Sequence, residues 1–260
     1  MQKEHPTNVG WSTEMEQTDS KNEKKPEKGV EKVVPSPIEK LLDHVVHKSL
    51  GPIVPKWMSP NMVTGIGAIG GAIGIVFALL SRMHPLFLIG TCCGIITHLV
   101  CDNLDGFVAR QRNSLSNRGA YFDLLTDILH ITYLLIALTF AGVMHWYITI
   151  FLVPVYALII FTSMNEIHYL NRFSFPTVGP AETHLFFIAI MVGSMITSCK
   201  VLLTLWGVDF TFGDLVCLVG GIPLYVEMIR LQITVYLRIR KKDKEAEAER
   251  NKENDAQGEA

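Results

Sequence analysis

The sequence predicts an all-α integral membrane protein: a bundle of six transmembrane helices preceded by an amphipathic helix at the membrane surface. Three observations carry this. Only 18% of the 260 residues are charged and mean hydropathy is +0.29, whereas soluble domains carry about 25% charged residues. Six apolar segments, at roughly 60–81, 85–104, 121–142, 146–164, 182–204 and 213–236, each approach the ~20 residues that cross a bilayer. The charges gather at the two ends: of 23 Lys and Arg, nine lie within residues 1–56 and eight from Arg230 onward. A soluble enzyme and a disulfide-stapled secreted domain are excluded on these grounds. The net charge of −2 predicts no nucleic-acid partner. Cys92, Cys93, Cys101, Cys199 and Cys217 are odd in number, lie in apolar stretches and show no CxxC spacing, so they read as small apolar side chains.

The elements follow in chain order. Residues 1–36 are rich in Lys, Glu, Thr and Pro and read as a disordered polar tail. No signal peptide opens the chain, which predicts an N-terminus on the cytosolic side. Residues 37–56 read as an interfacial helix: Ile38, Leu41, Leu42, Val45 and Val46 recur at helical spacing, with Lys40, Asp43, His44 and Lys48 between them. Pro52 and Pro55 end it. Residues 57–240 form the membrane domain. Its first span is crowded with Gly65, Gly67, Gly70, Gly71 and Gly74, a pattern that predicts close helix packing, within one chain or between two. The stretch 165–180 carries Pro176, Gly179 and Pro180 and reads as irregular. Residues 241–260 form a charged tail that begins as a helical extension of the last span and then frays.

Orientation follows from counting. With the N-terminus inside and six crossings, 21 of the 23 Lys and Arg fall on the inner side, and only Arg82 and Lys200 fall outside. The loop 105–120, the loop 165–180 and both tails are thereby placed on the cytosolic face. An endoplasmic reticulum and a bacterial inner membrane both fit. Trp57, Trp146 and Trp206 lie near span ends, as interfacial anchors do.

The chemistry lies in residues 102–127. Asp102 and Asp105 are three apart and share a helix face, while Asp123 and Asp127 are four apart and share another. A loop carrying Gly106 and Gly119 brings the two faces together, so four carboxylates meet at the cytosolic edge of the membrane. Unpaired, they would repel and be costly to desolvate. Arg110 alone cannot neutralise them; hard divalent cations can. An all-oxygen site suits Mg²⁺, Mn²⁺ or Ca²⁺, and carboxylate-bound Mg²⁺ usually also holds substrate phosphates. The residues therefore point to metal-assisted phosphoryl-type transfer with up to two ions. A carboxylate-gated divalent-ion transporter is the alternative, although transporter acids usually sit near mid-membrane.

Residues 102–127 also match D-x2-D-G-x2-A-R-x8-G-x3-D-x3-D at every fixed position: Asp102, Asp105, Gly106, Ala109, Arg110, Gly119, Asp123 and Asp127. On this motif the chain resembles the CDP-alcohol phosphotransferase family. The resemblance implies a six-helix membrane core with a cytosolic site and transfer of a substituted phosphate from a CDP-linked donor to a hydroxyl, with release of CMP. It implies that Asp102, Asp105, Asp123 and Asp127 ligate two Mg²⁺ or Mn²⁺ ions. Asp127 is the family's usual candidate for the base. Asn61, Gly106, Ala109, Arg110 and Gly119 would face the nucleotide and its phosphates. The implied partners are the CDP-linked donor, a lipid or polyol acceptor and the bilayer. Family members are often homodimers, so a second copy of the chain is a candidate partner.

Three stretches resemble choline/ethanolamine phosphotransferases, which use a CDP-amino-alcohol and diacylglycerol. Trp57–Thr64 resembles their WMAPNLIT, Asn113–Asp123 their NSSSPLGELFD, and Gly179–Glu182 their GPTE, whose Glu is thought to assist deprotonation of the lipid hydroxyl. Glu182 is thus a second candidate catalytic residue, although an acid at a helix N-terminus is also favoured by the dipole. Two features depart: Leu124 stands where those enzymes have His, and they are longer. Phe122–Asp127 instead resembles the LDMLTD of phosphatidylinositol synthases, whose donor is CDP-diacylglycerol and whose acceptor is a small polar alcohol. The balance favours the amino-alcohol branch slightly. His98 and His130, one turn before Asp102 and just short of a turn after Asp127, read as packed helix-face residues, and Glu227 with Arg230 reads as an interfacial pair. Asn61 reads equally as a helix cap.

Overall fold

The computed structural model describes residues 31–32, 37–170, 172–173 and 180–258. Expectations for the rest of residues 1–36, and for Pro176 and Gly179, lie outside the described residues. In chain order the elements are β1 (Glu31–Lys32), α1 (Pro37–Ser49), α2 (Pro60–Leu80), α3 (Leu88–Gln111), α4 (Asn117–Ala141), α5 (Trp146–Leu170), β2 (Arg172–Phe173), α6 (Pro180–Ile196), β3 (Val201–Leu205), β4 (Val208–Thr211) and α7 (Phe212–Gly258). β1 pairs with β2 in parallel, and β3 with β4 in an antiparallel hairpin.

Five helices are long and apolar enough to cross a membrane: 60–80, 85–111, 118–141, 146–170 and 212–252. A shorter apolar helix covers 181–196. In each of the five, at most 39% of the most apolar stretch is buried inside the protein. Ile69, Ile73, Val76, Ile150, Phe161 and Val219 point outward among many others. An apolar exterior on this scale is stable against lipid and not against water. The helices fit a multi-pass integral membrane protein.

Local chemistry sets the helix ends. Ser59 caps α2 by accepting from the Met62 amide at 3.3 Å, with Pro60 in the first turn. Ser116 caps α4 by accepting from the Gly119 amide at 3.1 Å. Gly142, at φ +78°, closes α4 in the left-handed conformation. Arg112 donates to the carbonyls of Met58 and Pro55, tying the strand of chain before α2 to the end of α3.

Four of the five glycines of α2, all but Gly65, pack within the chain. Gly70 and Gly74 face α3: a Cβ on Gly74 would lie 3.0 Å from the Gly94 Cα, and one on Gly67 would lie 2.7 Å from the Cys101 Cβ. Gly71 instead faces His130 of α4. The first span is therefore a hub that α3 and α4 approach closely. The main apolar core fills the half of the bundle far from the carboxylates, with Leu134, Leu135, Leu138, Met144, Ile148, Ile190 and Met191 at its centre. A smaller cluster of Val46, Val63, Leu104 and Val108 fastens α1 and α2 to α3.

Element boundaries differ from expectation in several places: α5 stays helical to Leu170, within the stretch read as irregular, and α7 stays helical to Gly258, within the tail read as fraying. The apolar stretch read as 182–204 is divided: α6 stops at Ile196, Ser198 and Cys199 turn with positive φ, and 201–211 forms the hairpin. Trp206 and Gly207, at φ 50° and 79°, make its tip, the geometry of a two-residue reverse turn.

Candidate functional site

The site is built where α3 reverses into α4. Asp102, Asp105, Gly106, Ala109 and Arg110 all lie on the last turns of α3, while Gly119, Asp123 and Asp127 lie on the first turns of α4. Gly106 and Gly119 are thus inside helices. The reversal itself is the short stretch 112–116, made by Asn113 at φ 51° and by the Ser116 cap. Asn tolerates the left-handed region better than most residues, so it ends α3 without a glycine.

This reversal sets the two acidic faces against each other. Asp102, Asp123 and Asp127 each offer an oxygen, and these atoms all lie within 4.8 Å of one another. Asp105, one turn along α3, is buried and accepts a hydrogen bond from the Thr64 hydroxyl of α2. Among the described residues no Lys or Arg forms an ion pair with the three clustered Asp. The Oδ1 atoms of Asp123 and Asp127 are buried without a hydrogen-bond partner. Buried carboxylate oxygens left unpartnered call for a counter-ion. A donor set of carboxylate oxygens fits a hard divalent cation such as Mg²⁺ or Mn²⁺.

The other expected site residues surround this cluster. Asn61, in the first turn of α2, reaches Gly119: a Cβ there would meet Asn61 Oδ1 at 3.1 Å. The Arg110 guanidinium folds back over Gly106, 3.4 Å from where a Cβ would be. Ala109 is buried. Glu182, in the first turn of α6, lines a cavity of about 310 Å³ between α4, α5, α6 and α7. The walls of this cavity are mainly apolar, with Ile131, Phe186, Phe187 and Leu224 among them. Gly220, Gly221 and Pro223 of α7 complete the wall, and a Cβ on Gly220 would lie 2.6 Å from the Phe186 ring. Tyr156 lines the same cavity and lies within electrostatic reach of Asp127, Asp102 and Asp123.

A family model described as CDP-alcohol phosphatidyltransferase matches residues 57–213, more than half of the chain. The chain belongs to this family. The match begins at Trp57, before α2, and ends within the first turn of α7, so it contains the whole carboxylate cluster. No curated protein sequence matches the chain significantly. Membership carries transferase activity on a CDP-alcohol in phospholipid synthesis, and the family uses divalent metals. The cluster of three Asp could hold one.

Sequence reasoning missed three polar residues that lie around the carboxylate cluster. Thr64 lies in a stretch already singled out, yet nothing marked its hydroxyl as the partner of Asp105. Tyr156 sits in an apolar run with no local signal. His184 follows Glu182 by two residues and lies close to His98 and His130, a meeting of three helices that spacing along one helix cannot reveal.

Proposed function

We propose that the protein transfers a phosphocholine- or phosphoethanolamine-type group from its CDP-linked donor to the hydroxyl of diacylglycerol, at the cytosolic face of a six-span bundle with α6 as the fifth span. The observation that carries this is the carboxylate cluster lying beside an apolar cavity that has an acidic residue, Glu182, in its wall. A cavity of this size and lining suits part of a lipid.

In this reading Asp102, Asp123 and Asp127, with Asp105 beside them, hold two Mg²⁺ or Mn²⁺ ions. When bound, such ions neutralise the donor diphosphate and stabilise the departing CMP. Thr64 holds Asp105 in place by its hydrogen bond. Asn61, Gly106, Ala109 and Gly119 form the surface against which the nucleotide lies, and Arg110 sits near phosphate. Asp127 or Glu182 takes the proton of the acceptor hydroxyl. The acceptor oxygen forms a bond to the phosphorus nearest the alcohol, and the bond from that phosphorus to the CMP oxygen breaks. Exclusion of water by the apolar cavity favours the lipid hydroxyl over hydrolysis.

A second reading keeps the family and exchanges the roles: CDP-diacylglycerol is the donor, with inositol, glycerol phosphate or serine as acceptor. Leu124 favours it, because the amino-alcohol enzymes carry His there. The purified protein in lipid vesicles with Mn²⁺ decides between them by its lipid product. Phosphatidylcholine or phosphatidylethanolamine from the CDP-amino-alcohol supports the first reading. Product from CDP-diacylglycerol alone supports the second. Mn²⁺ flux into the vesicles with no lipid product supports the transporter instead.

A further inference from the structure

Three imidazoles meet beside the carboxylates: His98 of α3, His130 of α4 and His184 of α6. Ring centroids are 4.1 Å apart for His98–His130, 5.8 Å for His98–His184 and 6.1 Å for His130–His184. All three are buried, at 3%, 5% and 3% exposure. Polar rings enclosed among apolar helices need a reason to be there. A second metal centre is not that reason. Among the described residues only Asp102, Asp123 and Asp127 bring three ligand atoms within 4.8 Å of one another.

The contact with Asp127 is the reason. His98 Nε2 lies 3.7 Å from Asp127 Oδ1. Both atoms are buried, and neither has a hydrogen-bond partner within the described structure. The separation exceeds a hydrogen bond, as such contacts often do before a site is filled. The rings are confined from behind. A Cβ on Gly71 of α2 would lie 2.5 Å from His130 Nδ1 and 3.1 Å from His98 Cδ2, so Gly71 leaves just the room that the two rings occupy.

We propose that His98 is the positioning residue for Asp127, its Nε2–H donating to Oδ1 and fixing the orientation in which that carboxylate meets Asp102 and Asp123. The inference rests on the metal-site reading above. His98 also stands one turn before Asp102 on α3 and so joins the two acidic faces through one contact. His130 and His184 pack against the His98 ring. Outer partners of this kind typically govern metal affinity by about 10–100-fold.

The test is Mn²⁺ affinity, read from the free-ion signal by electron paramagnetic resonance, on full-length protein in lipid nanodiscs. His98→Leu is expected to weaken Mn²⁺ binding by about 10–100-fold and to lower kcat while leaving KM for the CDP-linked donor unchanged. His98→Gln, whose amide N–H reaches about as far as Nε2, is expected to recover most of the loss. His130→Leu, which disturbs the packing equally, is expected to leave Mn²⁺ affinity unchanged. If His98→Leu does not fold, His98→Asn serves: its shorter amide falls short of Asp127, so it should bind Mn²⁺ as weakly. Wild-type affinity in His98→Leu or His98→Asn, or equal losses in the His98 and His130 variants, would overturn the proposal. Equal Mn²⁺ binding by Asp127→Asn and wild type would sink the metal reading itself, and the inference with it.

Discussion

Gly94→Ala tests how closely the site is built on the contact between α2 and α3. A Cβ on Gly94 would lie 2.5 Å from the Gly74 Cα and 2.8 Å from both the Gly70 carbonyl oxygen and the Gly74 nitrogen. Ordinary contact begins at 3.4 Å, so the shortfall is about 0.9 Å (3.4 less 2.5). Every obstacle is backbone, so no side chain can swing aside and the helices must part. Overpacking of this kind costs about 1–3 kcal/mol. At about 2–4 °C per kcal/mol for a chain of this size, Tm should fall by roughly 2–12 °C. Parting the helices also moves Thr64 away from Asp105, so Mn²⁺ should protect the variant against heat less than it protects wild type. Gly65→Ala, on the facing helix α2, is the control. Nothing lies within 4 Å of its Cβ position, and Ala in a helix interior is worth about 0.5–1 kcal/mol over Gly. Its Tm should hold or rise. Thermal melts followed by tryptophan fluorescence in detergent measure both. A wild-type Tm for Gly94→Ala, or equal damage from Gly65→Ala, would refute the reasoning.

Three further outcomes are expected. Ser116→Ala removes the cap of α4 and should cost about 1 kcal/mol, seen as a fall in Tm of about 2–4 °C. Asp214→Ala removes the acceptor for the His145 amide at 2.7 Å and the Thr211 amide at 2.8 Å, and the partner of the His145 ring at 2.6 Å. Donors stranded in a buried setting should cost about 3 kcal/mol or more, measured by denaturant unfolding. Leu224→Trp fills the cavity that Glu182 lines, and should raise KM for the lipid substrate in vesicle assays while leaving KM for a water-soluble donor unchanged.

Much of the site was legible because its determinants are local. The i, i+3 and i, i+4 spacing of the four Asp places them on two helix faces whatever surrounds them; of the four carboxylates expected to meet, those of Asp102, Asp123 and Asp127 come within 4.8 Å of one another, while Asp105 is held by Thr64. Glu227 and Arg230 likewise pair as their spacing suggests, with Arg230 Nε 2.7 Å from Glu227 Oε2. Local information ends where several helices meet. Asp105 turns to Thr64, 41 residues earlier, and His98, His130 and His184 come from three helices. The hairpin at 201–211 was hidden for a different reason. Its first strand, Val201–Leu205, is almost wholly apolar, so hydropathy continued the preceding helix across Ser198 and Cys199. Trp206–Gly207, a pair suited to a tight turn, was the available signal. The reversal between α3 and α4 was placed too wide because Gly106 and Gly119 look like loop residues, whereas their small size serves close approach within helices.

The most direct measurement is CMP release by the purified protein in lipid vesicles, with Mg²⁺ or Mn²⁺ and a panel of CDP-linked donors, for wild type and for Asp123→Asn and Asp127→Asn. The account predicts CMP from at least one donor, its loss on chelation of the metal, and its loss in both variants with the fold intact. CMP release that survives chelation or either substitution, or no release from any donor while Mn²⁺ is bound, would contradict it.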